Sequence, residues 1–194
     1  MREMSSVKKS TICALCIALC YVLPMAFHAI NLGSVFSPMH LPVFICGLIC
    51  GGGYGLFCGI VGPIISCLLT GMPTVAGLPT MAVELGIYGL VSGLLMKTVR
   101  TKKLVPDLYI SIIISVLLGR IAAGLVGLAM TKLFAGEAAF AITGKGGYFM
   151  GWLSAYFLTS WPGTLILLIF VPTIFLSLMK AHLIPERYPK EAKT

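Results

Sequence analysis

LPVFICGLICGGGYGLFCGIVGPIISCLLTG, residues 41–71, is the stretch whose reading decides the fold. It carries no charged side chain. As a single helix its 31 residues would extend roughly 46 Å, too long for a hydrocarbon layer of about 30 Å without strong tilt. Near its centre, Gly51-Gly52-Gly53-Tyr54-Gly55 offers a break, because glycine accepts the positive φ of a turn. The expectation is two crossings here, a short helix over 39–50 and a longer one over 54–70.

The basic residues decide between one crossing and two. Arg2, Lys8 and Lys9 form one cluster; Lys97, Arg100, Lys102 and Lys103 a second; Lys180, Arg187, Lys190 and Lys193 a third. Together they hold 11 of the 14 lysines and arginines. Basic loops resist translocation, so such clusters mark the cytoplasmic side of a membrane protein. A double crossing at 41–71 puts all three clusters on one side, whereas a single crossing puts the Lys97–Lys103 cluster opposite the first.

The remaining spans follow. Thr11–Ile30 is long enough to cross once, and the absence of a small-residue cleavage pattern favours a retained helix over a signal peptide. Gly71-Met72-Pro73 ends the third helix, and Pro79 suits the first turn of a fourth. Ser160-Trp161-Pro162 opens the last. The predicted architecture is an all-α polytopic bundle of six transmembrane helices, approximately 11–30, 39–50, 54–70, 80–96, 108–130 and 161–180. It forms one integral-membrane domain over 1–194 with both termini cytoplasmic. Residues 134–149 form a glycine-rich outer segment, and Tyr148, Trp152, Tyr156 and Trp161 lie near the outer interface, where aromatic belts form.

Composition agrees. The chain is 58% hydrophobic and 10% charged, against about 25% charged in soluble domains. The net charge of +8 flanks apolar spans, so membrane lipid rather than nucleic acid is the expected counterpart. No HExxH, GxSxG or paired catalytic aspartates occur, which argues against an enzyme. Gly144-Lys145 is followed by glycine where a phosphate-binding loop needs Ser or Thr, so no nucleotide site is expected. The seven cysteines fall inside predicted spans, and Cys13 and Cys16 make a CxxC with no second pair to complete a tetrahedron. They read as small apolar residues, with no metal or cofactor implied.

Two ionisable residues lie deep in the spans, Glu84 and Arg120. An unpaired charge there costs from about 2.5 kcal/mol upward, so both are expected to face the bundle interior or a wet cavity. They read either as a mutual salt bridge that fixes packing or as parts of the wall of an outward-opening pocket. Tyr88, one turn from Glu84 on the same face, adds a hydroxyl to that wall. Before the second helix, Asn31 and Ser34 precede Pro38-Met39-His40-Leu41-Pro42, where prolines hold His40 in a defined geometry. That loop reads either as a lid or as an interfacial segment with an exposed histidine. Trp161 reads as a pocket cap or as a belt tryptophan. Ala14 and Ala18 form a small-xxx-small pair that admits close approach of another helix.

The segment from Met39-His40-Leu41-Pro42 through Thr70-Gly71-Met72-Pro73 to Glu84 and Tyr88, with the chain's size and six crossings, resembles the substrate-binding S component of energy-coupling factor (ECF) vitamin transporters. The wording of that segment is most similar to the pantothenate-type branch. The resemblance implies a protein of the bacterial cell membrane that captures a water-soluble vitamin, with no chemistry of its own. Its partners would be a membrane coupling subunit and two ATPase subunits. Ala14 and Ala18 would dock on the coupling subunit. Arg120, Glu84, Tyr88, Trp161, His40 and Asn31 would line the substrate site, with Arg120 on a ligand carboxylate. The alternative is a self-sufficient ion-coupled transporter or small channel.

Overall fold

The computed structural model describes residues 4–28, 38–134, 147–181 and 183–184, and every regular element among them is helical. In chain order these are α1 (Ser6–His28), α2 (His40–Cys50), α3 (Gly52–Thr70), α4 (Leu78–Thr98), α5 (Leu104–Phe134), α6 (Gly147–Leu153), a π-helical turn (Ser154–Thr159) and α7 (Trp161–Lys180). Asn31, and residues 135–146 of the expected outer segment, lie outside the described residues.

The chain breaks where backbone chemistry allows it. Gly51, at φ 100°, ends α2 and precedes α3, so one glycine of the run does the turning and the others are already helical. Gly71, at φ 72°, caps α3 by donating its N–H to Cys67 O. Pro79 sits in the first turn of α4 and Pro162 in that of α7, positions where a missing N–H removes no helical bond. Between α4 and α5, Asp107 accepts from the Thr101 amide at 3.0 Å and its hydroxyl at 2.6 Å, closing the basic loop. A carboxylate in the first turn of α5 also complements the helix dipole.

Boundaries differ from expectation at several ends. α1 begins near Ser6 rather than residue 11, so Lys8 and Lys9 are helical. α5 runs over 31 residues, well beyond 108–130. α6 and the π-turn were not anticipated; they run over 147–159, just before the last expected span and overlapping the expected outer segment at 147–149. Among the described residues, five helices are long and apolar enough to cross a membrane: α1, α3, α4, α5 and α7. α2, with 11 residues, falls short by length alone.

The surroundings of α2 account for its shortness. It packs against α1, α3, α4 and α7, and Pro42 to Leu48 and Cys50 are all buried. A helix enclosed by protein on several sides need not match the lipid thickness, since its neighbours provide the apolar contact. α3 and α4 meet backbone to backbone. A Cβ on Gly55 would strike Gly89 and Gly47, and one on Gly59 would strike Leu85 and Gly86. Gly55 and Gly59 therefore form a packing seam that lets two helices approach closely.

Cys13, Cys16, Cys20, Cys46, Cys50 and Cys58 turn inward between α1, α2 and α3. Cys13 and Cys46 donate weakly to Tyr54 O at 3.7 and 3.5 Å, and Cys20 to Met39 O at 3.7 Å. Cys50 reaches Lys9 O at 3.6 Å, which puts the end of α2 beside the start of α1. The opposite face of α1 is exposed, with Ala14, Leu15, Ala18, Val22 and Met25 outward.

Candidate functional site

Two polar stations lie inside the bundle, on α4 and α5. Glu84 and Tyr88 are both buried, at 8% and 1% exposure, one turn apart on α4. The Tyr88 hydroxyl donates to Glu84 Oε1 at 2.5 Å. Tyr88 stacks on Phe44 of α2 with ring centroids 5.1 Å apart, and its ring lies 5.4 Å from that of His40. His40 Nε2 is 4.0 Å from Glu84 Oε1, so a protonated His40 forms an ion pair with it. The first station is thus a carboxylate held by a phenol and faced by an imidazole.

Its position follows from a glycine. Gly119 of α5 has no side chain where a Cβ would strike the Tyr88 ring and approach Glu84 O at 3.1 Å. The notch lets α5 close on α4 at this level. Arg120, the next residue, is thereby carried around the helix toward α7.

Arg120 forms the second station. It is buried, at 8% exposure, and Nη2 donates to Ser160 Oγ at 2.9 Å and Thr164 Oγ1 at 2.6 Å. Its guanidinium carbon lies 5.4 Å from the centre of the Phe157 ring, a cation–π distance. Nε is buried and has no hydrogen-bond partner among the described residues. The Trp152 indole N–H donates to Arg120 O at 3.3 Å, and its ring occupies the space left by Gly124. Of the six carboxylates in the chain, the described residues contain Glu84 and Asp107. Asp107 lies 13 residues earlier on α5, about 20 Å away at helical rise. Among the described residues, the ion pair that Glu84 makes within 4.0 Å is with His40, not Arg120. Glu84 and Arg120 thus make no ion pair within 4.0 Å, while remaining within electrostatic reach of each other.

The candidate residues divide accordingly. Glu84, Tyr88 and His40 come together, with Arg120 in an adjacent station within electrostatic reach of Glu84 and Tyr88. Trp161 is 57% exposed. Asn31 lies outside the described residues. Ala14 and Ala18 share the exposed face of α1, apart from both stations.

Sequence reasoning missed Phe44, Trp152, Phe157, Ser160 and Thr164 as site residues. Two signals were available. Phe44 stands four residues after His40 on a helix, hence on its face, and Ser160 and Thr164 repeat that spacing at the start of α7. Trp152, expected near the outer interface, donates its indole N–H to the backbone of Arg120.

A family model described as "ECF transporter, substrate-specific component" matches residues 8–175, a span that takes in both stations and the α1 face. No curated protein and no solved structure matches the chain. With that match covering most of its length, this all-helical membrane protein belongs to the substrate-specific component family of ECF transporters.

Proposed function

We propose that this chain is the capture subunit of an ECF importer for a water-soluble vitamin that carries an anionic group, pantothenate being the best fit. Membership of the family makes it a substrate-binding transporter component rather than an enzyme, an integral membrane protein that works with an ECF module. The observation that carries the reading is Arg120: a buried guanidinium whose described hydrogen-bond partners are neutral hydroxyls and whose Nε has none. Buried cations in a membrane interior are expensive unless something negative answers them. A ligand carboxylate matches the planar guanidinium through two parallel hydrogen bonds.

Pantothenate brings a carboxylate, an amide and two hydroxyls. In this reading Arg120 takes the carboxylate, and the Glu84–Tyr88–His40 station takes a hydroxyl. Phe44 backs that station, and the segment before α2 that carries Asn31 gates it. Six crossings with both termini cytoplasmic put the stations in the outer half of the bundle, with α2 as an enclosed crossing. Cargo release would depend on a coupling subunit docked on Ala14 and Ala18 and on two ATPase subunits in the bacterial plasma membrane.

The test is thermal unfolding of the purified chain in detergent against a panel of water-soluble vitamins, pantothenate included. A ligand at about a thousand times its dissociation constant adds roughly 4 kcal/mol of stability to the folded state. A shift with one compound names the cargo. The absence of any shift removes the capture reading and favours an ion-coupled transporter, which uptake by the chain alone in liposomes would then reveal.

A further inference from the structure

Arg120 meets α7 at its first turn. Ser160 is the N-cap residue of α7 and Thr164 stands four residues on, so Nη2 sits beside the N-terminus of a 20-residue helix. That end is not capped by a side chain. The Ser160 hydroxyl donates instead to Tyr156 O at 2.6 Å, and the Thr164 hydroxyl donates to Ser160 O at 3.0 Å. Helix N-termini present N–H donors and a partial positive charge, equivalent to about half an elementary charge. The Nε of the same guanidinium is buried and has no hydrogen-bond partner among the described residues.

The guanidinium geometry then restricts how an anion can enter. Nε–H and one N–H of Nη2 lie parallel along one edge, spaced for the two oxygens of a carboxylate. Both Nη2 hydrogens are engaged by the two α7 hydroxyls, while the Nε hydrogen has no acceptor. An anion using the paired edge must therefore displace one hydroxyl.

We propose that the Nε edge of Arg120 and the N-terminus of α7 form a single seat for a carboxylate, and that filling it unties one hydroxyl of α7 from α5. The inference rests on the reading of Arg120 as the anion-binding residue and specifies the class of group bound. One guanidinium and one helix end answer a single negative charge. A phosphate monoester, at about −1.5 to −2, would leave excess charge in a buried site, so the seat selects a carboxylate over it. Untying α7 acts on its junction with the π-turn, whose Phe157 ring covers Arg120. Trp152 senses the change, since it bonds to Arg120 O and lies 5.6 Å from the Phe157 ring.

The experiment uses the full-length chain in detergent with Trp161→Phe, which leaves Trp152 as the remaining one of two tryptophans. Sodium acetate and sodium phosphate are titrated against sodium chloride at matched ionic strength while Trp152 emission is followed. A saturable response to acetate, weaker to phosphate and lost in Arg120→Gln, is the expected result. No saturable response to acetate, an equal response to chloride, or an acetate response that survives Arg120→Gln overturns the proposal.

Because Arg120→Gln removes ties between two helices and can unfold the bundle, Thr164→Val and Ser160→Ala provide a second arm. Whichever removes the displaced hydroxyl should tighten acetate binding about threefold to tenfold, the scale of one competing hydrogen bond. Weakened or unchanged binding in both overturns the displacement. Nanodiscs with and without phosphatidylglycerol separate the remaining source of a single negative charge. Loss of the acetate response in the anionic lipid would make this a lipid headgroup site and also count against the proposal. Stabilisation by a vitamin without any acetate response would defeat the seat alone, whereas the capture reading fails only if no vitamin stabilises the chain.

Discussion

Tyr88 donates its hydroxyl hydrogen to Oε1 of Glu84, 2.5 Å away and one turn earlier on α4. The bond joins two side chains that are both buried and gives the carboxylate a partner within its own helix. With Phe44 stacked on the Tyr88 ring and His40 opposite, α2 and α4 share one polar contact inside an apolar interface. Arg120 donates to two hydroxyls on α7 and stays within electrostatic reach of Glu84 and Tyr88.

Removing that bond tests what it does. Tyr88→Phe keeps the ring stack and deletes the donor, leaving a buried carboxylate with less to satisfy it. The expected loss is about 1–3 kcal/mol of stability, seen as a lower unfolding temperature in detergent. Cargo affinity should fall with it, because Glu84 is no longer oriented. An unchanged unfolding temperature would mean that His40 alone is sufficient to hold the carboxylate.

Arg120→Lys separates charge from shape. Lysine keeps the cation but has no paired N–H edge, and its hydrated ammonium suits the dry site poorly. Affinity for the vitamin found in the stability screen should drop at least tenfold, equivalent to about 1.4 kcal/mol. Retained affinity in the lysine variant would show that the ligand needs only positive charge.

The glycines of α3 predict opposite outcomes at neighbouring positions. Gly59→Val puts a branched side chain against Leu85 and Gly86 backbone, where nothing can rotate away. Overpacking on that scale costs about 1–3 kcal/mol or more, and here it forces the helix pair apart. Gly53 has nothing within 4 Å of its Cβ position, so Gly53→Ala should be neutral or stabilising by about 0.5–1 kcal/mol through helix propensity. Thermal unfolding of both variants checks the contrast.

The parts legible in the sequence are those fixed by backbone chemistry and hydrocarbon length. Gly51, Gly71, Pro79 and Pro162 mark helix ends because few other residues suit those conformations, and the apolar runs between them set the helices. The buried positions of Glu84 and Arg120 were legible for the same reason, since charges in apolar spans face inward. Their partners were not. Whether Glu84 meets Arg120 or His40 depends on the rotation of α2 against α4, and that is set by side-chain packing across helices distant in sequence. The π-turn at Ser154–Thr159 left no signature, because one residue added to a helical turn alters no hydrophobic pattern. The bond of Trp152 to the Arg120 backbone was not legible either, because it depends on the notch that Gly124 leaves across α5.

The last prediction concerns the outer face of α1, where the inward cysteines leave Ala14 and Ala18 exposed together. In isolation neither alanine supports the fold, so Ala14→Leu or Ala18→Leu should leave the unfolding temperature within about 0.5 kcal/mol of the parent, as for exposed substitutions generally. Two small residues one turn apart allow a partner helix to approach closely, and each added isobutyl group would hold it off. Co-purification with an ECF coupling subunit should therefore fall in either variant while vitamin binding persists. Undiminished co-purification in the double variant would move the docking surface elsewhere, with the exposed apolar residues Phe57, Ile60 and Ile64 of α3 the next face to test.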